Sequence, residues 1–239
     1  RFNFFMSNIF NALLYQPILQ TLIFIYKTIA FRDLGWAIIL LTILIRLVLL
    51  PFFYRGAKDQ TAIQKLQPLV KKIQQDHKNN KEKQTQALLE LYRQHRINPF
   101  SSFLLLIIQL PILIALYRVF LTGLSDNAVF ENYFFLNFIN LIQKNFLIVI
   151  LATAAQYFQS KLMMPKMDAS QTAANKTNQM MLFIGPVLTF VILNNLPSAI
   201  GLYWLVSSLF SLGQQVFINK ALEKQKQHGE NFGENKKTA

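Results

Sequence analysis

Residues 35–54 read Gly-Trp-Ala-Ile-Ile-Leu-Leu-Thr-Ile-Leu-Ile-Arg-Leu-Val-Leu-Leu-Pro-Phe-Phe-Tyr, an apolar run that contains a single charge, Arg46. A helix of this length is about 30 Å long, which matches the hydrocarbon thickness of a bilayer. A guanidinium at that depth costs about 3 kcal/mol on insertion scales, and an arginine does not lose its proton in proteins. The fold must therefore supply Arg46 with water, a partner or a ligand.

A carboxylate partner for Arg46 is not available within the membrane, because no apolar run of this chain contains Asp or Glu. This pattern favours a water-filled cavity that is open to something anionic. The alternative is that Arg46 extends along the helix to reach a lipid headgroup.

The composition is typical of a polytopic helical membrane protein. The 239 residues are 53% hydrophobic, and the mean hydropathy is +0.30. The absence of Cys excludes disulfides, thiolate metal sites and cysteine nucleophiles. A net charge of +13 in such a chain favours anionic lipid, cytoplasmic loops or a ribosomal surface as its cause, rather than DNA. Because the chain begins with Arg1, we expect an upstream segment, either a cleaved signal or a lipoprotein anchor.

The N-terminal segment, residues 1–34, combines apolar residues with regularly spaced polar ones, namely Asn8, Asn11, Gln16, Gln20 and Lys27. This spacing places a polar stripe along a helix, which Pro17 should bend. We predict an amphipathic helix that lies in the membrane interface. A sixth spanning helix is the alternative.

Residues 35–218 are predicted to form a five-helix core. The apolar runs place its spans at about 35–54, 101–121, 141–160, 179–193 and 198–217. Mixed loops at 122–139 and 161–178, and the turn Asn194–Pro197, separate the later spans, and a basic tail follows at 219–239. The predicted fold class is therefore an all-α polytopic membrane protein with five transmembrane helices around a polar groove.

Residues 55–98 contain ten Lys or Arg and four acids, yet Ile63, Leu66, Val70 and Ile73 keep helical spacing. A polar run at His77–Lys81 divides the segment, so we predict a basic helical hairpin that projects from the membrane. Its candidate docking residues are Lys58, Lys65, Lys71, Lys72, Arg93 and Arg96. The hairpin would bind ribosomal RNA, nascent chains, anionic lipid or a targeting factor such as the signal-recognition-particle receptor. The alternative is a solvated loop that only sets topology.

Charge predicts the topology. Eighteen of the twenty-four Lys and Arg lie in the hairpin, the 161–178 loop and the tail, which a five-span topology places on one side. By the positive-inside rule that side is cytoplasmic. The N-terminus is then outside and the C-terminus inside.

Enzyme motifs are missing from the sequence: there is no His-Glu-x-x-His, no Gly-x-Ser-x-Gly and no P-loop. The three histidines, His77, His95 and His228, all lie in basic segments where a solvated role is the simpler interpretation. We therefore predict a protein that is not an enzyme, with no catalytic residue, metal or cofactor. The lack of carboxylates in the apolar runs also argues against a proton-coupled transporter.

Several polar residues lie inside the predicted spans. Gln109, Gln156 and Gln159 are costly to leave unsatisfied in lipid, and interhelical hydrogen bonding is one explanation for them. The other explanation is that they line a polar groove together with Arg46. Tyr203 and Trp204 could belong to an interfacial aromatic belt or to the same groove.

These segments resemble the YidC/Oxa family of membrane protein insertases in order and topology. The segments that resemble the family's core helices are Ala37-Ile-Ile-Leu-Leu-Thr-Ile-Leu-Ile-Arg-Leu-Val-Leu-Leu-Pro51, Gln109-Leu-Pro-Ile-Leu113, Ala115-Leu-Tyr117, Gly201-Leu-Tyr-Trp-Leu205 and Gln214-Gln215. Those that resemble its cytoplasmic hairpin are Gln64-Lys-Leu-Gln-Pro68, Leu91-Tyr92 and Asn98-Pro99. Each is weak alone, and their common order across the chain makes the resemblance specific.

The resemblance implies a groove that is open to the cytoplasm and lipid but closed to the outside. It implies that Arg46 is the groove arginine and that Gln159 and Trp204 line the groove. One departure is Ser101-Ser102-Phe103, which stands where the family often has Gly-Cys. The sequence resembles the shorter, Gram-positive-like form without a large periplasmic domain, and its short tail implies a weaker ribosome tether.

The function implied is insertion of nascent membrane proteins, without nucleotide hydrolysis, either alone or beside the SecYEG channel. Two other classes stay open from the sequence. One is a transporter or channel in which Arg46 binds a small anion. The other is an assembly factor that binds helices but does not translocate their tails.

Overall fold

A computed structural model describes residues 9–98, 101–123, 129–163 and 172–235. The predictions that concern Asn8 and the last residues of the tail fall outside this part of the chain. The described chain is mostly helical. Its helices are α1 (Gln16–Thr28), α2 (Leu34–Val48), α3 (Leu50–Lys65), α4 (Gln67–Asp76), α5 (Lys81–Gln94), α6 (Ser101–Arg118), α7 (Phe146–Met163), α8 (Thr172–Leu193) and α9 (Ser198–Asn235).

Helix α1 follows directly on a π-helical segment, Asn11–Tyr15. The sequence predicts a bend at Pro17, and the structure shows this wider winding just before it, where the backbone accommodates a residue without an N–H donor. Helix α1 packs against α2, and its buried residues include Leu22 and Tyr26. The polar stripe predicted for this helix faces away from the core, since Gln20 is exposed.

The chain bends by 68° between α2 and α3. The sequence predicts one continuous helix over 35–54, but α2 ends at Val48 and α3 begins at Leu50. Pro51 explains the break, because it has no N–H to donate to the preceding turn and its ring clashes with that turn. Among the described residues no single helix combines the length and hydropathy needed to cross a membrane, whereas α2 and the part of α3 up to Ile63 meet both requirements as a bent pair.

Helices α4 and α5 form an antiparallel pair after α3, with a turn at His77–Asn80. Val70 and Leu91 are the buried apolar residues of this pair. Asn80 caps α5, because its side chain accepts a hydrogen bond of 3.0 Å from the backbone N–H of Lys83. The hairpin therefore has its own small packed face, although most of its surface is polar.

Three later boundaries differ from the predicted ones. Helix α7 begins at Phe146 rather than 141, because Oδ1 of Asn145 caps it by accepting from the backbone N–H groups of Leu147 and Ile148 at 3.0 and 3.3 Å. The loop before it contains a short ribbon of two strands, β1 (Phe134–Phe135) and β2 (Ile139–Asn140). Helix α8 begins at Thr172, inside the predicted 161–178 loop, where Ala, Lys, Gln and Met are good helix formers. Helix α9 continues to Asn235, well into the predicted tail, because residues 219–226 also favour helix.

Helix α9 is the centre of the bundle and packs against α7, α2 and α3. The close approach of α9 to α7 depends on Gly201, since a Cβ at this position would lie 2.7 Å from Cγ2 of Ile148. Helix α8 packs on the other side of α7, and α6 packs against α3. This arrangement leaves a space between α2, α3, α6, α7, α8 and α9.

Candidate functional site

A cavity of about 500 Å³ occupies this space. All five residues that the sequence analysis assigns to a groove line it, namely Arg46, Gln109, Gln156, Gln159 and Trp204. Further polar lining comes from Gln60, Tyr203, Ser207, Ser208, Ser211, Gln214 and Gln215. The structure therefore brings together polar side chains from five helices, most of them amides and hydroxyls, around one guanidinium.

Arg46 reaches the cavity from the last turn of α2 and is only 9% exposed. Its Nε donates to Oγ of Ser207 at 2.8 Å, and a terminal nitrogen of its guanidinium donates to the same oxygen. The guanidinium carbon lies 4.6 Å from the centre of the Phe53 ring, which is a cation–π contact. No carboxylate of the described residues lies within salt-bridge distance, so the positive charge of Arg46 is solvated by neutral groups alone.

Ser207 is the main polar neighbour of Arg46 and is itself buried. One helical turn further on, the hydroxyl of Ser211 donates to the backbone carbonyl of Ser207 at 3.0 Å. A hydroxyl can accept two hydrogen bonds, and Ser207 uses both for the guanidinium. Ser207 therefore orients Arg46 without neutralising it.

Tyr203 lies on the same face of α9, one turn before Ser207, and is 2% exposed. Its hydroxyl accepts a hydrogen bond from Nε2 of Gln109 on α6. The sequence leaves open an interfacial belt for Tyr203, but the structure places this side chain in the core next to the cavity. Gln109 thus has an interhelical partner and lines the cavity as well.

Gln156 on α7 accepts two hydrogen bonds from α9, one from Nε1 of Trp204 and one from Oγ of Ser208, each 3.3 Å long. Gln159 lies three residues further along α7 and lines the same cavity. The two sequence interpretations of these glutamines are therefore compatible, because Gln156 bonds between helices and also faces the cavity.

At the other end of the cavity, Gln215 links α9 to α3. Its Nε2 donates to Oγ1 of Thr61 and to Oδ1 of Asn219, each at 3.0 Å. In the described structure, Oε1 of Gln215 and Nε2 of Gln214 are buried without a hydrogen-bond partner from the protein. Buried polar groups are normally paired with protein or water, so this lining suits a hydrated or polar occupant.

The sequence analysis did not identify Ser207, Ser208 or Ser211 as site residues. The available signal is the spacing of four, because Tyr203, Ser207, Ser211 and Gln215 recur along one face of α9. Serine is common in helices packed within membranes, so that spacing has little weight until the arginine is known to face it.

The six candidate docking residues of the hairpin lie apart from the cavity lining. Lys58, Lys65, Lys72, Arg93 and Arg96 are exposed, and Lys71 is half-buried. Partial burial raises the pKa of the neighbouring Tyr92 above its ordinary value. Within the described part of the chain, no cluster of three or more His, Asp or Glu side chains could hold a metal ion.

Comparison with known proteins gives a consistent family. The family model described as 60Kd inner membrane protein matches residues 24–226. The membrane protein insertase YidC of Geobacter sp. (strain M21) is 31% identical over 209 residues, which cover 87% of this chain and 37% of that protein. The membrane protein insertase YidC of Clostridium tetani is 35% identical over 194 residues, covering 80% of this chain and 83% of that protein.

A solved structure is also similar. The crystal structure described as an active YidC insertase with the first transmembrane domain resolved has a TM-score of 0.64 and 28% sequence identity to this chain. The match covers 85% of this chain and 45% of the solved one. The chain thus spans less than half of that protein and of the Geobacter relative.

Proposed function

The chain belongs to the YidC/Oxa family of membrane protein insertases, and we propose that it inserts membrane proteins into the bacterial inner membrane through the cavity around Arg46. The family description and the names of the relatives support both the membrane and the activity. The finer parts of the proposal are the role of the cavity, the residues that act there and the absence of a nucleotide requirement.

The observation that carries the proposal is the environment of Arg46. A buried guanidinium that has neutral partners keeps its full charge, and its attraction for an anion is stronger there than in water because the surroundings are less polar. A structural arginine would normally be paired with a carboxylate, and the described residues provide none at this position. The cavity is thus suited to attract an acidic, hydrophilic segment.

The amide and hydroxyl groups of the cavity would form the rest of a hydrophilic path for the polar tail of a substrate. A polar tail that leaves water loses hydrogen bonds, and Gln156, Gln159 and Gln214 can replace some of them. The tail then crosses a short distance, and the apolar segment behind it partitions into lipid. Burial of that segment contributes roughly 25 cal/mol per Å², and a membrane potential adds about 2.3 kcal/mol per charge per 100 mV for an acidic tail that moves outward. No nucleotide is required in this scheme.

The topology proposed for this activity is the five-span core predicted from the sequence, with its N-terminus outside and its C-terminus inside. The bend between α2 and α3 would direct α3 from the membrane toward the cytoplasmic hairpin. The exposed Lys and Arg of α3, α4 and α5 would then meet the ribosome, the nascent chain, anionic lipid or a targeting receptor. The protein would work either alone or beside the SecYEG channel.

The test uses purified protein in liposomes and a small single-spanning substrate that has an acidic N-terminal tail. Protection of the tail from external protease measures translocation. We expect Arg46→Ala to abolish most of the protection and Arg46→Lys to retain part of it, because the charge matters more than the shape of the guanidinium. Arg118→Ala is the matched control, since Arg118 is exposed and lies outside the cavity lining.

A stably folded Arg46→Ala protein that protects acidic tails normally would refute the electrostatic role. Capture of the substrate without protection of its tail by the unsubstituted protein would favour the assembly-factor class. Saturable flux of a small anion into the same liposomes, with no insertion, would favour the transporter class.

A further inference from the structure

Two tight turns lie together at the end of the bundle where α2 begins. The first joins α1 to α2 and has positive φ at Phe31 (51°) and Arg32 (60°). The second joins β1 to β2 and has positive φ at Leu136 (53°) and Asn137 (59°). This backbone region favours Gly and Asn, and bulky residues adopt it only at a conformational cost. The turn conformation alone therefore does not explain why bulky residues occupy positions 31 and 136.

The two turns are held against each other by a set of specific contacts. Asp33 accepts from the backbone N–H of Leu136 through Oδ2 at 2.9 Å and from that of Trp36 through Oδ1 at 3.0 Å. Arg32 forms an ion pair of 3.2 Å with Glu131. The ring of Phe135 packs directly over Gly35, where a Cβ would overlap it. The turns therefore form one ordered unit.

This unit exposes large apolar side chains. Phe31 is 94% exposed and Phe138 is 88% exposed, while Trp36 and Leu136 are about half exposed. We call these four residues the outer-tip surface. Two rings that are almost fully exposed on an ordered unit, rather than folded back on the core, indicate that this surface meets an apolar phase.

The outer-tip surface is continuous with an apolar face of α2. Leu44 and Leu47 are exposed and lie eight and eleven residues after Trp36, which places them on the same side of the helix. In a chain of this family that face of α2 would contact lipid. Trp is one of the side chains that membrane proteins concentrate at the level of lipid headgroups, and Trp36 belongs to this surface.

From this geometry we propose that the outer-tip surface inserts into the interfacial region of the outer leaflet. The rings of Phe31 and Phe138 lie among the upper acyl chains, and Arg32 lies at the level of the lipid phosphates. The unit sets the depth of α2, and Arg46 follows ten residues after Trp36, which is about 15 Å along the helix. The contact would therefore hold Arg46 near the middle of the hydrocarbon layer.

The experiment measures the depth of single tryptophans in vesicles. In a background in which Trp36 and Trp204 are replaced by Phe, one tryptophan is introduced by Phe138→Trp or by Phe31→Trp. The protein is reconstituted in vesicles of lipids that are brominated either near the headgroup or near the chain end, and aqueous iodide is the competing quencher. Leu44→Trp is the control for the deep membrane, and Lys78→Trp in the hairpin turn is the control for water.

We expect bromine near the headgroup to reduce the emission of both tip variants more than bromine near the chain end, with little loss to iodide. Strong quenching of the tryptophan emission by iodide, without quenching by either brominated lipid, would overturn the proposal and would leave a protein partner as the occupant. The Leu44→Trp control separates this outcome from failure of the proposed function, because it reports whether the chain is embedded at all. Phe138→Trp decides alone if the Phe31 variant misfolds, since Phe138 does not have a positive φ.

Discussion

Ser207→Asp places a carboxylate beside Arg46 and therefore tests whether the charge of the cavity, rather than its shape, acts on substrates. The Oγ of Ser207 already lies 2.8 Å from Nε of Arg46, so an aspartate at this position would form an ion pair with the guanidinium. Ser207→Asn is the matched control, because asparagine has nearly the same shape as aspartate and keeps an acceptor oxygen without the charge.

The expected magnitude follows from Coulomb's law. A substrate carboxylate about 6 Å from Arg46 gains about 3 kcal/mol at an effective dielectric constant of about 20. An aspartate at position 207 that lies about 6 Å from the substrate carboxylate repels it by a similar amount and cancels most of this attraction. Occupancy of the cavity by an acidic tail should therefore fall by about 100-fold. The asparagine control should change it by much less.

The assay is protease protection of the tail in liposomes, with two substrates that differ only in whether the tail is acidic or neutral. We expect Ser207→Asp to block the acidic tail and to spare the neutral one, and Ser207→Asn to spare both. Equal insertion of the acidic tail by the aspartate and asparagine variants would refute the electrostatic reasoning. Equal failure of both variants with the neutral tail would instead indicate damage to the fold.

Two further predictions concern stability. Gly201→Ala should overpack Ile148 and reduce the free energy of unfolding in detergent by about 1–3 kcal/mol. Gly213→Ala should be neutral or slightly stabilising, because nothing lies within 4 Å of its Cβ position. Equal unfolding midpoints for the two variants would contradict the close contact between Gly201 and Ile148. Asp33→Ala should cost about 1–2 kcal/mol through loss of the helix cap and of the acceptor for Leu136, with Asp33→Asn intermediate since it keeps one acceptor oxygen. Thermal unfolding followed by circular dichroism measures both, and an unchanged Asp33→Ala midpoint would show that the two turns are held by other contacts.

The need of Arg46 for compensating polar groups could be predicted from the sequence because the physics is local: one charge in a long apolar run demands compensation wherever the helix lies. The same reasoning identified Gln109, Gln156 and Gln159 as costly polar groups. Whether these side chains share one space depends on how the helices rotate about their axes, and periodicity alone does not determine that rotation.

The helix boundaries, the serines of the cavity and the β ribbon depend on local and tertiary interactions that a hydropathy pattern does not describe. The run 35–54 is apolar apart from Arg46, so it predicts one helix, yet the missing donor of Pro51 ends the first helix at Val48. The serines beside Arg46 are small and uncharged, and their role appears only when α9 is packed against α2. The β ribbon at 134–140 lies in a loop whose pairing is set by tertiary contacts such as the one between Phe135 and Gly35.

Helix α9 has a mechanical consequence. Its 38 residues run from Ser198 to Asn235 without a break, and at about 1.5 Å per residue the helix is about 57 Å long, nearly twice the hydrocarbon thickness of a bilayer. A continuous α-helix behaves as a stiff rod over this distance. A sideways force on its far end would therefore act as a torque on the segment that contains Tyr203, Ser207 and Ser211. A load on the far end of α9 would thus be transmitted to the wall of the cavity without contact with any residue that lines it.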